Sequence, residues 1–152
     1  MKEENKRISW EQYFMNLAFA ASERSTCFSD KKGAVIVKDK MIISTGYSGA
    51  PKGIKNCLYD NGFCRKRALG FGHGEGHSQC LAVHAEANAI LQCNLLSTIS
   101  KNCQLYCTHK PCENCAKLII NAGIKEVYYT YDYPSELTDY LFKEAEIKVI
   151  KI

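Results

Sequence analysis

Long apolar runs are missing from this chain of 152 residues, in which 46% of the residues are hydrophobic and 24% are charged. No stretch approaches the roughly 18–20 apolar residues that a membrane-spanning helix needs. The opening residues, MKEENKRISW, mix both charges and lack the apolar segment of a secretory signal. These absences predict one globular domain over residues 1–152, located in the cytoplasm and without a membrane partner.

A concentrated basic surface is missing as well. The net charge of +4 is modest and spread along the chain, without the Lys/Arg stripe that is typical of nucleic-acid binding proteins. This distribution favours a small anionic molecule as the partner and argues against a nucleic acid.

Cysteine, by contrast, is abundant, with nine residues. Disulfides rarely persist in the cytoplasm, and an odd number of cysteines cannot all be paired within one chain. Metal ligation therefore explains the count better than a disulfide framework does.

Hydrophobic periodicity predicts an α/β domain. Residues 8–25 predict an amphipathic helix with Ser9 as its N-cap, and the runs GAVIVK and MIISTGY, separated by Asp39-Lys40, predict an antiparallel hairpin. Helices and strands then alternate, which indicates crossover units with helices covering a mixed sheet. These later elements are helices at 84–95, 113–122 and 135–145, and strands at 104–109, 126–131 and 147–152.

Periodicity disappears between residues 48 and 80, a segment rich in Gly, Cys, His and basic residues. It is far longer than the usual connection inside a compact domain. Insertions of this kind are functional, disordered or stapled by a metal.

Two short motifs open predicted helices, His84-Ala85-Glu86 and Pro111-Cys112-Glu113-Asn114-Cys115. Cysteines three apart on the first turn of a helix point their sulfurs to the same side, and the helix N-terminus favours the thiolate that binds metal. One imidazole and two thiolates leave the fourth position of a tetrahedral zinc to water, as catalytic zinc sites require.

Glu86 stands two residues from His84 and is predicted to take a proton from that water, rather than to bind the metal. Other interpretations exist for each part of this pattern. The two cysteines are also compatible with a thioredoxin-like redox pair or a structural zinc knuckle, and Glu86 with an ordinary acid in a first helical turn.

The combination H-x-E and P-C-x-x-C is the signature of zinc-dependent nucleobase deaminases. Over about residues 8–150 the chain also resembles the deoxycytidylate (dCMP) deaminase family. The matching segments are RISWEQYFMNLA, RSTC, GAVIVKDKMIISTGY, VHAEANAI, LYCTHKPCENCAKLIINAGIKEVYY and the aromatic-acidic segment that ends at Tyr133.

This resemblance implies a three-layer α/β/α cytidine-deaminase-like fold with a mixed five-stranded sheet. It also implies a zinc-dependent hydrolase that converts dCMP to dUMP and ammonia through a zinc-bound hydroxide, with zinc on His84, Cys112 and Cys115. Glu86 is the implied catalytic proton shuttle. A homo-oligomer, specifically a hexamer, is implied by the resemblance alone.

The resemblance further implies substrate contacts from Ser48, Ala85 and Tyr133. Ser48 replaces an asparagine that reaches the sugar in the family, and Tyr133 is equally compatible with packing against the sheet. Lys31 and Lys32 stand near a position where the family has an apolar residue, so they either meet a phosphate or are simply solvated. Further candidates for the phosphate, none of which stands out, are Arg24, Lys52 and Arg65.

Some members of the family carry a second, structural zinc built from the RSTC cysteine and the insertion. By this resemblance a closed site is predicted on Cys27, Cys57 and Cys80, with His77 or Cys64 as the fourth ligand. The alternative is that these cysteines are reduced thiols that bind nothing. Cys93, Cys103 and Cys107 are predicted to be small core residues.

Rival functions come from the same superfamily and from outside it. The Cys-rich insertion argues against a tRNA adenosine deaminase, and His84 argues against a cytidine deaminase, which has Cys at this position. A pterin or guanine deaminase and a non-catalytic zinc protein of the competence type complete the alternatives. Glu86 argues against the last, because a purely structural metal site does not need a proton shuttle.

Overall fold

A computed structural model describes residues 7–95 and 102–152 of the chain. Residues 1–6, which belong to the opening segment of mixed charge, lie outside the described residues. No helix in the described ranges is long and apolar enough to cross a membrane.

The first helix, α1, spans Trp10–Ser22. The Ser9 hydroxyl accepts a hydrogen bond from the Gln12 amide at 3.1 Å, so Ser9 is the N-cap that the sequence predicts. The helix ends before the predicted residue 25 because the chain turns there. The Ser25 hydroxyl donates to the Ser48 carbonyl at 2.6 Å, which ties the end of the helix to the insertion.

The predicted hairpin is confirmed, with β1 at Gly33–Lys38 and β2 at Met41–Tyr47 in antiparallel pairing. Asp39 and Lys40 connect the strands, with φ angles of 51° and 62°. Positive φ at both central residues is what a two-residue type I′ hairpin turn requires.

The remaining elements also follow the predicted order. The sheet has five strands in the order β2-β1-β3-β4-β5, with β1 antiparallel to both neighbours and β3, β4 and β5 mutually parallel. The mixed five-stranded sheet is thus confirmed. These elements are α3 (Ala85–Leu95), β3 (Gln104–His109), α4 (Glu113–Asn121), β4 (Glu126–Tyr131), α5 (Glu136–Glu144) and β5 (Lys148–Lys151), and a short helix that the sequence does not predict, α2 (Arg65–Ala68), precedes them.

Side chains alternate between two hydrophobic layers on opposite faces of the sheet. Helix α1 packs on one face, and the helices α3, α4 and α5 contribute to the core on the other, which confirms the three-layer α/β/α arrangement. The sheet residues facing α1 are Val35, Val37, Tyr106 and Tyr128, and those facing the other helices include Ala34, Ile36, Leu105, Cys107 and Val127.

The insertion between β2 and α3 contains more local structure than the sequence predicts. It includes a π-helical turn at Cys57–Asn61, the short helix α2, and a 3₁₀ turn at His77–Gln79. Its two ends are joined because Gly49 and Val83 exchange backbone hydrogen bonds of 3.2 and 2.7 Å. The insertion therefore leaves and returns at one point of the domain.

Two glycines allow helices to approach the hairpin closely. A Cβ atom added at Gly33 would lie 2.0 Å from the Ala18 carbonyl oxygen of α1. One added at Gly46 would lie 2.1 Å from the Ala85 carbonyl oxygen and 2.5 Å from the Ala89 nitrogen of α3. Since both contacts are with helix backbone, a side chain at either position forces the helix away from the sheet.

We predict that Gly46→Ala destabilises the fold by about 1–3 kcal/mol, the usual cost of overpacking a core. Denaturant unfolding monitored by circular dichroism measures this loss. Gly72→Ala is the matched control, because the added Cβ would meet only the flexible carboxylate end of Glu75 at 3.2 Å. Equal stability of the two variants would show that α3 does not depend on the glycine at position 46.

Candidate metal centre and active site

Three metal-binding side chains converge where two helices begin on the same side of the sheet. His84 immediately precedes α3, Cys112 is the N-cap of α4, and Cys115 lies in the first turn of α4. The His84 Nδ1 atom lies 3.4 Å from the sulfur of Cys112 and 3.4 Å from the sulfur of Cys115. Both sulfurs are buried, and His84 is partly exposed.

The spacing of these atoms fits a zinc ion. Tetrahedral zinc with typical bond lengths separates a nitrogen ligand from a sulfur ligand by about 3.6 Å, close to the distances around His84. All three ligand atoms lie within 4.8 Å of one another. Within residues 7–95 and 102–152, no other group of three or more potential ligands meets this distance limit.

The electrostatic environment of the two thiols favours ionisation of one of them, Cys112. A hydrogen bond from the Cys115 thiol lowers the pKa of Cys112 to about 3, despite the opposing effect of burial, and His84 adds to this lowering. The same hydrogen bond and burial raise the pKa of Cys115. This effect favours the thiolate form of Cys112, which is the form that binds zinc.

The acidic side chain of Glu86 lies beside this cluster. It lies in the first turn of α3, is only 5% exposed, and has an Oε2 atom 3.7 Å from the Cys115 sulfur. Burial raises the pKa of the Glu86 carboxyl, while the charges of His84 and Lys32 oppose this shift. An ordinary acid in a first helical turn is solvated, so the burial of Glu86 argues against that interpretation.

A cavity extends from the cluster, and residues from several parts of the chain line it. Tyr133 contributes to this lining, as do His84, Glu86 and Cys112. The insertion forms one wall through Cys64, Lys66, His73, Gly74, His77 and Cys80. The long insertion is therefore part of the candidate active site.

Tyr133 and His77 lie together beside the cluster. The Tyr133 hydroxyl is 3.3 Å from the His77 Nε2 atom, and the His77 ring packs edge-on to the His84 ring with centroids 5.8 Å apart. The position of Tyr133 in the cavity supports a contact with a ligand rather than packing on the sheet alone. His77 belongs to the same cavity wall.

Ser48 and Ala85 are less available to a ligand than the sequence predicts. The Ser48 hydroxyl accepts a hydrogen bond from the Lys32 amide at 3.1 Å, lies 2.7 Å from the Ser25 hydroxyl, and donates to the Asp30 carbonyl at 2.9 Å. The hydroxyl's one hydrogen and at least one of its lone pairs are therefore used by protein atoms. Ala85 is only 1% exposed, and its backbone packs against Gly46.

Four other cysteines are near one another where the insertion meets the end of α1. Burial raises the pKa of Cys57, and the neighbouring thiols of Cys27, Cys64 and Cys80 raise it further. The segments are held together because the Leu58 amide donates to the Thr26 carbonyl at 3.3 Å. Cys64 therefore accompanies Cys27, Cys57 and Cys80, whereas His77 contacts Tyr133 and His84.

Two cavity lysines, Lys66 and Lys110, were not singled out by the sequence patterns. Lys110 directly follows β3, and residues just past the carboxyl ends of parallel strands often reach a ligand, so its position was an available signal. Lys66 offers no such signal, because its position depends on the fold of the insertion. Four candidates for the phosphate, Arg24, Lys31, Lys52 and Arg65, are not among the residues that line the cavity in the described part of the chain.

Known proteins resemble this chain over most of its length. The deoxycytidylate deaminase of Mycobacterium phage D29 is 42% identical over 128 residues, which cover 81% of this chain and 95% of the relative. ComE operon protein 2 of Bacillus subtilis is 37% identical over 153 residues, which cover 97% of this chain and 73% of the relative.

Solved structures agree with the fold. The crystal structure of dCMP deaminase from the cyanophage S-TIM5, in complex with dCMP and dUMP, superimposes with a TM-score of 0.77 at 28% identity. The match covers 97% of this chain and all of that chain. The cytidine-deaminase-like α/β fold is thereby confirmed.

The family described as the cytidine and deoxycytidylate deaminase zinc-binding region matches residues 8–131. This range contains His84, Glu86, Cys112 and Cys115, the residues of the candidate metal centre. The chain therefore belongs to the cytidine and deoxycytidylate deaminase zinc-binding family.

Proposed function

We propose that this chain is a zinc-dependent hydrolase that deaminates deoxycytidine monophosphate to dUMP and ammonia. The observation that carries the proposal is the buried Glu86 carboxylate beside His84, Cys112 and Cys115, in a chain of the deaminase family. The named activity of the phage D29 relative and the dCMP and dUMP bound by the cyanophage enzyme support this substrate.

His84, Cys112 and Cys115 hold the zinc ion in this proposal. Zinc in such a site acts as a Lewis acid that lowers the pKa of a water molecule in its fourth position. His84 and Cys112 also line the cavity, so a zinc ion held by the three residues would adjoin it.

Glu86 moves the protons of the reaction. Its carboxylate takes one proton from the attacking water and delivers it to the ring nitrogen of cytosine. It then takes the second proton from the new C4 hydroxyl and gives it to the departing amino group. The overall change forms a carbon–oxygen bond at C4, breaks the carbon–nitrogen bond there, and releases ammonia. The burial of Glu86 keeps bulk water away from these transfers.

We predict that Glu86→Gln lowers ammonia release from dCMP by about 10²- to 10⁴-fold, the usual contribution of a positioned acid–base group, while zinc content stays unchanged. Glu136→Gln is the matched control, because Glu136 is also an acid in a first helical turn but is exposed on α5. A Glu86→Gln variant with normal turnover would contradict the assigned role.

Ammonia release by the wild-type protein also distinguishes the rival functions. Ammonia release is compared among dCMP, CMP, dCTP, deoxycytidine and deoxyguanosine phosphates, and dCMP is expected to react with the highest kcat/KM. The similarity to ComE operon protein 2 keeps a non-catalytic zinc protein as the second candidate. Absence of ammonia from every compound, with zinc bound, would favour that candidate.

A second, structural zinc on Cys27, Cys57, Cys64 and Cys80 is part of the proposal. The mutual influence of these thiols on Cys57 supports it. Burial opposes ionisation of Cys64, but the Arg67 amide, the Ser29 hydroxyl and other hydrogen-bond donors lower its pKa overall. Cys64 is better suited than His77 to be the fourth ligand, because Cys64 belongs to the group of neighbouring thiols whereas His77 contacts Tyr133 and His84.

We predict about two zinc ions per wild-type chain, measured by plasma mass spectrometry after dialysis. Cys64→Ser is expected to reduce the content to about one, whereas His77→Ala is expected to retain about two. A content of one zinc ion per wild-type chain would indicate that these cysteines are reduced thiols that bind no metal. A loss of zinc in His77→Ala, but not in Cys64→Ser, would identify His77 instead of Cys64 as the fourth ligand.

Three further parts of the functional prediction remain predictions, of which only the oligomer rests on the resemblance. These are the single domain over residues 1–152, the cytoplasmic location, and a homo-oligomer in the form of a hexamer. Exposed apolar side chains on α4 and α5 support association of copies, since subunit interfaces bury such groups. They are Leu118, Leu137 and Tyr140.

A further inference from the structure

Three lysines line the cavity beside the candidate metal centre, and two of them are held by protein partners. The Lys66 ammonium donates to the carbonyl oxygens of Gly72 and Glu75 at 3.2 and 3.0 Å, which fastens the insertion. The Lys110 ammonium forms an ion pair with the Asp139 carboxylate at 2.6 Å. Neither ammonium is therefore free to serve primarily as a ligand-binding group.

Lys32 is different. Within residues 7–95 and 102–152, no carboxylate pairs with its ammonium, which lies over the face of the Tyr133 ring at 5.5 Å from the centroid. Asp30, its near neighbour in sequence, pairs with His73 at 3.5 Å instead. A contact with an aromatic face leaves the ammonium's N–H donors available to a further partner.

Lys32 lines the cavity together with His84, Glu86 and Tyr133. Burial lowers the pKa of His109, and the Lys32 charge lowers it further. Lys32 is thus oriented toward the candidate active site, whereas the adjacent Lys31 pairs with Glu23 at 3.7 Å and is exposed.

The backbone of Lys32 is held firmly from both sides. Its amide donates to the Ser48 hydroxyl at 3.1 Å, and its carbonyl accepts from the Ser48 amide at 3.0 Å. Gly33 follows directly and is packed against α1. Ser48 is therefore a positioning residue that holds Lys32 at the cavity, and its hydroxyl is engaged by protein atoms.

A partly buried cation that forms no salt bridge with a carboxylate favours an anionic ligand, because removing the ammonium from water is costly unless an anion compensates. In a nucleoside monophosphate, the phosphate is the group that carries negative charge. We propose that the Lys32 ammonium binds the phosphate of the substrate and thereby makes the enzyme prefer a nucleotide to the corresponding nucleoside. This inference rests on the proposed deaminase function.

The test compares Lys32→Met with the wild type on dCMP and on deoxycytidine. A lost charge-assisted hydrogen bond to phosphate is expected to lower kcat/KM for dCMP by about 10- to 100-fold, chiefly through KM. For deoxycytidine, kcat/KM is expected to change less than about twofold, because that molecule has no phosphate. Lys32→Arg keeps the charge and is expected to restore part of the preference for dCMP.

Lys31→Met is the matched control, since it removes the neighbouring positive charge outside the cavity. It is expected to retain wild-type values with both compounds. Zinc content and circular dichroism show that each variant is folded, and Lys32→Gln replaces Lys32→Met if the latter does not fold. An equal fall of kcat/KM on both compounds, or no fall on either, overturns the role of Lys32.

A binding measurement separates this inference from the proposed function. Isothermal titration calorimetry of the zinc-loaded protein compares dUMP with deoxyuridine, and Lys32→Met is expected to weaken dUMP binding alone. If the wild type releases no ammonia from dCMP but shows this selective loss, the deaminase proposal fails and phosphate binding by Lys32 stands. If the wild type is active and the variant binds dUMP as tightly, Lys32 does not bind the phosphate.

Discussion

The close approach of two helix N-termini above one side of the sheet is the constraint on which the site depends. Helix α3 brings His84 and Glu86 to this point because Gly46 lets its first turns lie directly on β2. Helix α4 begins at Cys112, immediately after the end of β3. A nitrogen that lies 3.4 Å from each of two sulfurs follows from this arrangement, and zinc binding needs all three atoms together.

The sequence was a good predictor where the signal is local. Periodicity and β-branched runs predicted the helices and strands, and the Asp39-Lys40 turn predicted the hairpin. The spacing of His84, Glu86, Cys112 and Cys115 predicted a common site because motifs at helix starts have a narrow range of geometries. The family comparison confirmed the resemblance that these motifs suggest.

Features decided by contacts distant in sequence could not be predicted in the same way. The Ser48 hydroxyl contacts Ser25, Asp30 and Lys32, which lie up to 23 positions away in the sequence. His77 reaches Tyr133, which is 56 positions away, and so contributes to the active-site cavity instead of the cysteine group. No periodic pattern within the insertion indicates either contact, because each depends on how the insertion folds back.

The insertion connects the two proposed metal sites physically, since its residues form a cavity wall and also carry three of the four clustered thiols. The central claim is nevertheless the open site on His84, Cys112 and Cys115. X-ray absorption at the zinc edge of the Cys64→Ser protein, loaded with one zinc, tests it directly. Two sulfur neighbours at about 2.3 Å and two lighter neighbours at about 2.0–2.1 Å are expected; four sulfur neighbours would contradict the open site.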